Sequence, residues 1–359
     1  ANGYTVNGTL QLNTGGSITA SKPPFYGSSS TLVYNQGGTI GRSVEWSTTS
    51  GAGYPANAIV RNNTTLNIAN GDNSTARSLR ANLTIETGST VSMQALDARL
   101  SVLGSLDVQG TGALTFSTAT NGNIAVRGNI TFSTNSTITP NGRTLHLEGP
   151  DNCTIVGGNK TISALTINKT TAPTSVTFNT NSLTVSGATT VTRGVVIPNG
   201  NLTIGNTGIL DISSANGSFQ TNSPTYVSGS TVTYTGNNAR NIGSELDNTT
   251  NLSNINVTNN GGLSLAGNLT LASGTSLNLN TNGILIAGTH TISGAGSFIL
   301  NGGIIRTANT SGLGATLTST TRTFTSGVIA FNSGSTQDLG SITNFGNATL
   351  SFAGTGTTL

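Results

Sequence analysis

The chain has 359 residues, of which only 7% are Asp, Glu, Lys or Arg; an ordinary soluble domain carries roughly 25%. Fourteen basic and eleven acidic residues leave a net charge of +3 without a Lys/Arg cluster in the sequence, which argues against nucleic-acid binding. The 34% of apolar residues is spread evenly as Leu, Ile and Val, too much for a disordered polar tract and enough for a thin, extended core.

Residues 1–75 differ in texture from the rest and read as a cap-like segment with aromatic loops, joined to the repetitive region that begins at residue 76. Lys22-Pro23-Pro24-Phe25-Tyr26 interrupts the strand pattern, and Leu32-Val33-Tyr34, Val44-Glu45-Trp46 and Gly53-Tyr54-Pro55 come after it. Tyr26, Trp46 and Tyr54 are the candidate ligand contacts, because aromatic rings on loops stack on sugars. The same rings also suit a plug over the open end of a repeat array, whose terminal repeats must cover the core.

From residue 76 onward the hydrophobic period is 2. Leu83-Thr84-Ile85, Leu100-Ser101-Val102, Leu106-Asp107-Val108, Ile124-Ala125-Val126 and Leu145-His146-Leu147 are short alternating triplets separated by Gly, Asn, Ser and Thr. Such triplets between turn formers make half-buried strands. The chain is expected to be all-β, without a helix of helical periodicity and capping.

Repeats separate a sandwich from a solenoid. The order Leu165-Thr166-Ile167, Val176-Thr177-Phe178, Leu183-Thr184-Val185, Asn199-Gly200 recurs 83 to 90 residues later as Ile255-Asn256-Val257, Leu263-Ser264-Leu265, Leu269-Thr270-Leu271, Asn282-Gly283. This places long repeats at about 153–238 and 239–322, with a partial copy at 323–359. Strand pairs recur about every 20 residues, the length of one coil with two or three short faces. The expected fold is a parallel β-helix, or β-solenoid, over 76–359, right-handed by the general rule for parallel crossovers.

Two runs carry a family resemblance. Tyr34-Asn35-Gln36-Gly37-Gly38 with Glu45-Trp46 and Gly53-Tyr54-Pro55-Ala56-Asn57 is the first; Val232-Thr233-Tyr234-Thr235-Gly236 with Asn241-Ile242-Gly243 and Ile255-Asn256-Val257-Thr258-Asn259-Asn260 is the second. With Leu269-Thr270-Leu271-Ala272-Ser273-Gly274 they resemble the adhesin-like β-helical repeat modules of large secreted surface proteins of Bacteroidota, exported by the type IX secretion system. The resemblance implies an extracellular, cell-surface location and a structural or adhesive role as a filament or stalk segment. Filament neighbours, further copies of the chain, or a cell-surface polysaccharide are the implied partners. It carries no functional residue, and the sorting domain expected of such exported proteins is not evident before Leu359. The start at Ala1, without Met or a signal-peptide pattern, fits a processed or trimmed chain.

The alternative is a carbohydrate-active β-helix enzyme, a polysaccharide lyase or glycosidase. Glycoside hydrolysis uses two carboxylates about 5–10 Å apart. The near pairs in sequence are Glu148 with Asp151 and Glu245 with Asp247, both read as solvated acids of polar turns. His146 and His290 are expected on the outward positions of strands, without a carboxylate partner. Cys153 stands alone and reads as a small buried strand residue, so neither a disulfide nor a Cys-based metal site is expected. No catalytic, metal or cofactor site is assigned, and no apolar run reaches the ~18 residues of a membrane span.

Overall fold

The computed structural model describes residues 3–18, 22–171, 173–214, 216–333 and 337–352. The last part of the expected third copy, 334–336 and 353–359, lies outside these residues, as do Ala1 and Leu359. The protein is nearly all-β, with parallel stacked strands forming a β-solenoid. It divides into two compact units, Ala1–Ser186 and Gly187–Leu359.

The middle coils of the first unit carry three short strands each. Leu83–Ile85, Thr90–Ser92 and Leu100–Val102 make one coil, and Leu106–Val108, Ala113–Thr115 and Ile124–Val126 make the next. Each strand pairs in parallel, in register, with its successor: Leu83 with Leu106, Val91 with Leu114, and Leu100 with Ile124. One column of aligned residues runs Leu10, Leu32, Ala58, Leu83, Leu106, Ile130, Ile155 and Phe178, a step of 22 to 26 residues per coil. The step is longer than the 20 residues expected from strand spacing, because the corner loops differ in length. The second unit repeats the plan with steps of 21 to 24 residues along Val191, Ile212, Tyr234, Val257, Leu279, Leu300 and Phe324. Its departures from strand are short: a 3-10 turn at Ser244–Leu246 and a five-residue helix at Gly312–Thr316.

Alternation decides what is inside. Leu83, Ile85, Leu106 and Val108 are buried, while Thr84 and Asp107 between them face outward. The twelve apolar residues at the ends of the repeated triplets, from Leu165 to Leu271, are all buried. Each buried Leu, Ile, Val or Phe contributes about 1.5–3 kcal/mol, and stacking lets one narrow core run through successive coils. The corners need left-handed backbone, and Asn supplies much of it: Asn62, Asn63, Asn141, Asn159, Asn199 and Asn282 all have positive φ. Gly158 shows why glycine is used beside them. Its φ is +60°, and a Cβ there would lie 2.3 Å from the Phe132 carbonyl oxygen of the preceding coil.

Candidate functional site

The aromatic residues expected to meet a ligand take three different positions. Trp46 is fully buried, and its indole N–H donates to the Ser78 carbonyl oxygen at 2.9 Å. Tyr26 is 8% exposed, and its hydroxyl donates to the Glu45 carbonyl oxygen at 2.9 Å. Only Tyr54 is partly open to solvent, with the Arg80 guanidinium 5.4 Å from its ring centroid.

Tyr26 belongs to a buried polar assembly that has a counterpart in the second unit. In the first, the Tyr34 hydroxyl donates to Glu45 Oε1 at 2.9 Å, and the Ser43 backbone N–H donates to the same oxygen at 2.7 Å. In the second, Tyr226 donates to the Glu245 carbonyl oxygen at 2.8 Å, Tyr234 to Glu245 Oε1 at 2.7 Å, and the Gly243 N–H to Oε1 at 3.1 Å. Both glutamates sit in a three-residue 3-10 turn, Val44–Trp46 and Ser244–Leu246. Tyr26 and Tyr226, Tyr34 and Tyr234, Glu45 and Glu245 are each 200 positions apart, and four of the chain's six tyrosines are used this way.

The expectation that Glu245 is a solvated turn acid is therefore corrected. Its polar-looking turn tucks the side chain inward, where it is 0% exposed, and only Asp247 of that pair faces solvent. Burial pushes the Glu245 carboxyl above its ordinary range, opposed by Arg240 and by the hydrogen bonds from Tyr234 and Gly243. Arg240 Nη2 lies 3.7 Å from Glu245 Oε1, and its guanidinium is 5.3 Å from the Tyr234 ring centroid. The first unit resolves the arginine differently. Arg42 donates to the Ile68 and Ala69 carbonyl oxygens and lies 3.5 Å from Asp72, which Arg77 also holds at 2.5 Å. Burial alone would raise the Asp72 carboxyl, but the hydrogen bonds from Arg77 and Thr75 bring it down to about 2. These assemblies tie the 3-10 turns to the coils. Beside the second, an open cleft of about 410 Å³ has Leu246, Leu265 and Leu269 on its floor and Asp247 and Asn268 at its rim.

Several open charges of the first unit gather on one face. Val102 is in register with Leu79 and Val126, and Val126 with Leu147. The next residues in each strand, Arg80, Leu103, Arg127 and Glu148, therefore stand on four successive coils. Arg99 reaches across the small Ser101 and Ala125 to form an ion pair with Glu148. Arg99, Ser101, Leu103, Ala125, Arg127 and Glu148 line a cleft of about 240 Å³, and Arg80 stands on the coil before it. His146 lies outward beside it, next to Glu148 after all, and its imidazole is held below its ordinary range by burial and by Arg99, with Glu148 opposing. His290, expected on a strand, is instead in the turn between Ile284–Gly288 and Ile292–Gly294, where its N–H donates to the Ala287 carbonyl oxygen.

Of the Glu148–Asp151 pair, Glu148 is bound to Arg99, and Asp151 is exposed in the following turn. Cys153 is buried on its strand as expected, and burial pushes its thiol up while Lys169, with Nζ at 3.8 Å, opposes. Lys169 is itself fully buried and donates to the Glu148 carbonyl oxygen at 2.6 Å. Among the described residues, no three of His, Cys, Asp and Glu are grouped to hold a metal ion, and no helix is long and apolar enough to cross a membrane.

Fold and sites thus define a parallel β-solenoid repeat protein with duplicated internal Tyr–Tyr–Glu locks and a charged surface cleft. No protein-family description, curated protein or solved structure matches the chain.

Proposed function

We propose that the chain is a non-catalytic structural and adhesive surface module, extracellular and acting as a filament or stalk segment, of the kind exported by type IX secretion in Bacteroidota. The observation that carries this reading is where the scarce charges sit. Glu45, Glu245, Arg42, Arg77, Lys169 and Arg240 are buried, and the hydrogen bonds and ion pairs they make tie corner and strand together. The glutamate lock occurs at two equivalent turns, one in each unit, which suits a recurring brace, whereas an active site is needed once. Outward strand positions such as Thr84, Ser101 and Thr177 remain small and polar, which suits a stiff element that touches partners along its length. Repeated shallow contacts give weak binding per site and gain by avidity.

The expected result is that the full chain displayed densely on beads is retained by cell-surface polysaccharide, while the same chain free in solution at equal total amount is retained at least about tenfold less. Equal retention of both forms, or none by the dense display, would count against the adhesive role. A carbohydrate-active enzyme is the second reading, and the cleft that joins Glu148, Arg99 and His146 is the observation in its favour.

A further inference from the structure

The surface cleft of the first unit contains more positive charge than its own residues neutralise. Arg99 and Arg127 meet one carboxylate there, Glu148, which Arg99 already engages, and Arg80 stands one coil before Arg99 on the same face. Arg80 is fixed by donating to the Tyr26 and Gly27 carbonyl oxygens at 2.6 and 2.7 Å, so its charge stays over the ring of Tyr54. Arg127 is the open member. Its stem lies over Gly149, it is exposed, and its guanidinium has no hydrogen-bond or ion-pair partner among the described residues.

Three features set this apart from a stray surface arginine. The site is concave, because Ser101 and Ala125 are small residues between the larger Arg99, Leu103 and Arg127. The stacking register fixes the charges on a ladder: Arg80 and Arg127 are two coils apart, about 10 Å at the ordinary strand spacing. The outward positions beside the ladder, Ser101, Ala125, His146 and Thr166, are in register and make a shallow polar track without a deep apolar hole.

We propose that this cleft binds an anionic polysaccharide, with an oxyanion of the glycan, carboxylate or sulfate, held by the Arg127 fork and the chain lying along the coil stack toward Arg80 and Tyr54. A planar guanidinium with free donors takes such a group by two parallel charge-assisted hydrogen bonds. An extended polyanion presents oxyanions repeatedly along its length, which a ladder of guanidinium groups matches. The Arg99–Glu148 pair is a positioning element, keeping Arg99 against the floor and leaving Arg127 free. This assignment rests on the adhesive reading and narrows it to one ligand class and one face.

The test is affinity electrophoresis of the full chain through gels containing polygalacturonate, dextran sulfate or neutral dextran. Arg127→Ala is expected to weaken retardation by the polyanions about tenfold. Arg61→Ala, at a partly open arginine elsewhere in the unit that donates to Gln11, is expected to leave it unchanged, as are the melting temperatures of both variants. Retardation by polygalacturonate but not dextran sulfate assigns the oxyanion as a uronate, and the reverse assigns a sulfate ester; either supports the site. Equal loss in both variants means diffuse attraction to a basic protein and overturns it. So does undiminished binding by Arg127→Ala, or retardation by neutral dextran alone, which would leave adhesion standing and remove this cleft from it.

Discussion

Leu183→Asp should unfold the first unit or lower its stability by more than about 4 kcal/mol, while Thr184→Asp, one residue away, changes it by less than about 0.5 kcal/mol. Leu183 is 0% exposed, and its strand pairs with Lys160–Ile162 of the preceding coil, Ile162 lying opposite Val185. Truncating such a Leu to Ala already costs about 2–5 kcal/mol, and aspartate adds a buried charge with no partner. Thr184 points outward next to Thr161 of the coil below, so a carboxylate there stays in water. Chemical denaturation with circular dichroism reads both. Similar losses for the two variants would mean that the inside–outside assignment of this strand is wrong.

Replacing Glu245 with Leu should cost about 3–5 kcal/mol, the usual penalty for removing one member of a buried ion pair. The Tyr234 hydroxyl and the Gly243 N–H would lose their acceptor, and the buried Arg240 its counter-charge. Tyr234→Phe removes one donor and should cost about 1–3 kcal/mol. Glu245→Gln keeps the Oε1 acceptor and separates charge from hydrogen bonding. Because burial raises the Glu245 carboxyl, the folded protein holds its proton more tightly than the unfolded chain. Its contribution is therefore complete below the ordinary glutamate value of about 4.3 and is lost as pH rises through the folded value. Thermal melting across that range should show Glu245→Gln gaining on the natural chain as pH rises. A constant difference between them would show that the carboxyl is not raised.

The parts of the fold legible in the sequence are those set by alternation. Leu165, Ile167, Phe178 and Leu271 read as inward from period 2 alone, and they are buried. Coil length was less legible, since it depends on corner loops whose Asn and Gly residues mark a turn without fixing its length. The Tyr–Tyr–Glu locks escaped because repeat comparison of apolar triplets passes over tyrosine and glutamate. The matched spacing of Tyr26, Tyr34 and Glu45 with Tyr226, Tyr234 and Glu245 was the available signal. Glu245 misled for a local reason: Ser-Glu-Leu-Asp looks like a solvated turn, and only the 3-10 geometry turns its second residue inward. The charged cleft was hidden by distance along the chain. Arg80 and Arg127 are 47 residues apart, and they become neighbours only because that separation is two coils.

The most direct test of the proposed role is the length distribution of fluorescently end-labelled plant and algal polysaccharides, measured by size-exclusion chromatography after long incubation with the full chain. The expected result is polysaccharide that co-elutes with the protein and, once the protein is removed, returns at its original length without new reducing ends or unsaturated sugars. Shortened chains, with shortening abolished in Glu148→Gln, would contradict it and make the cleft an active site.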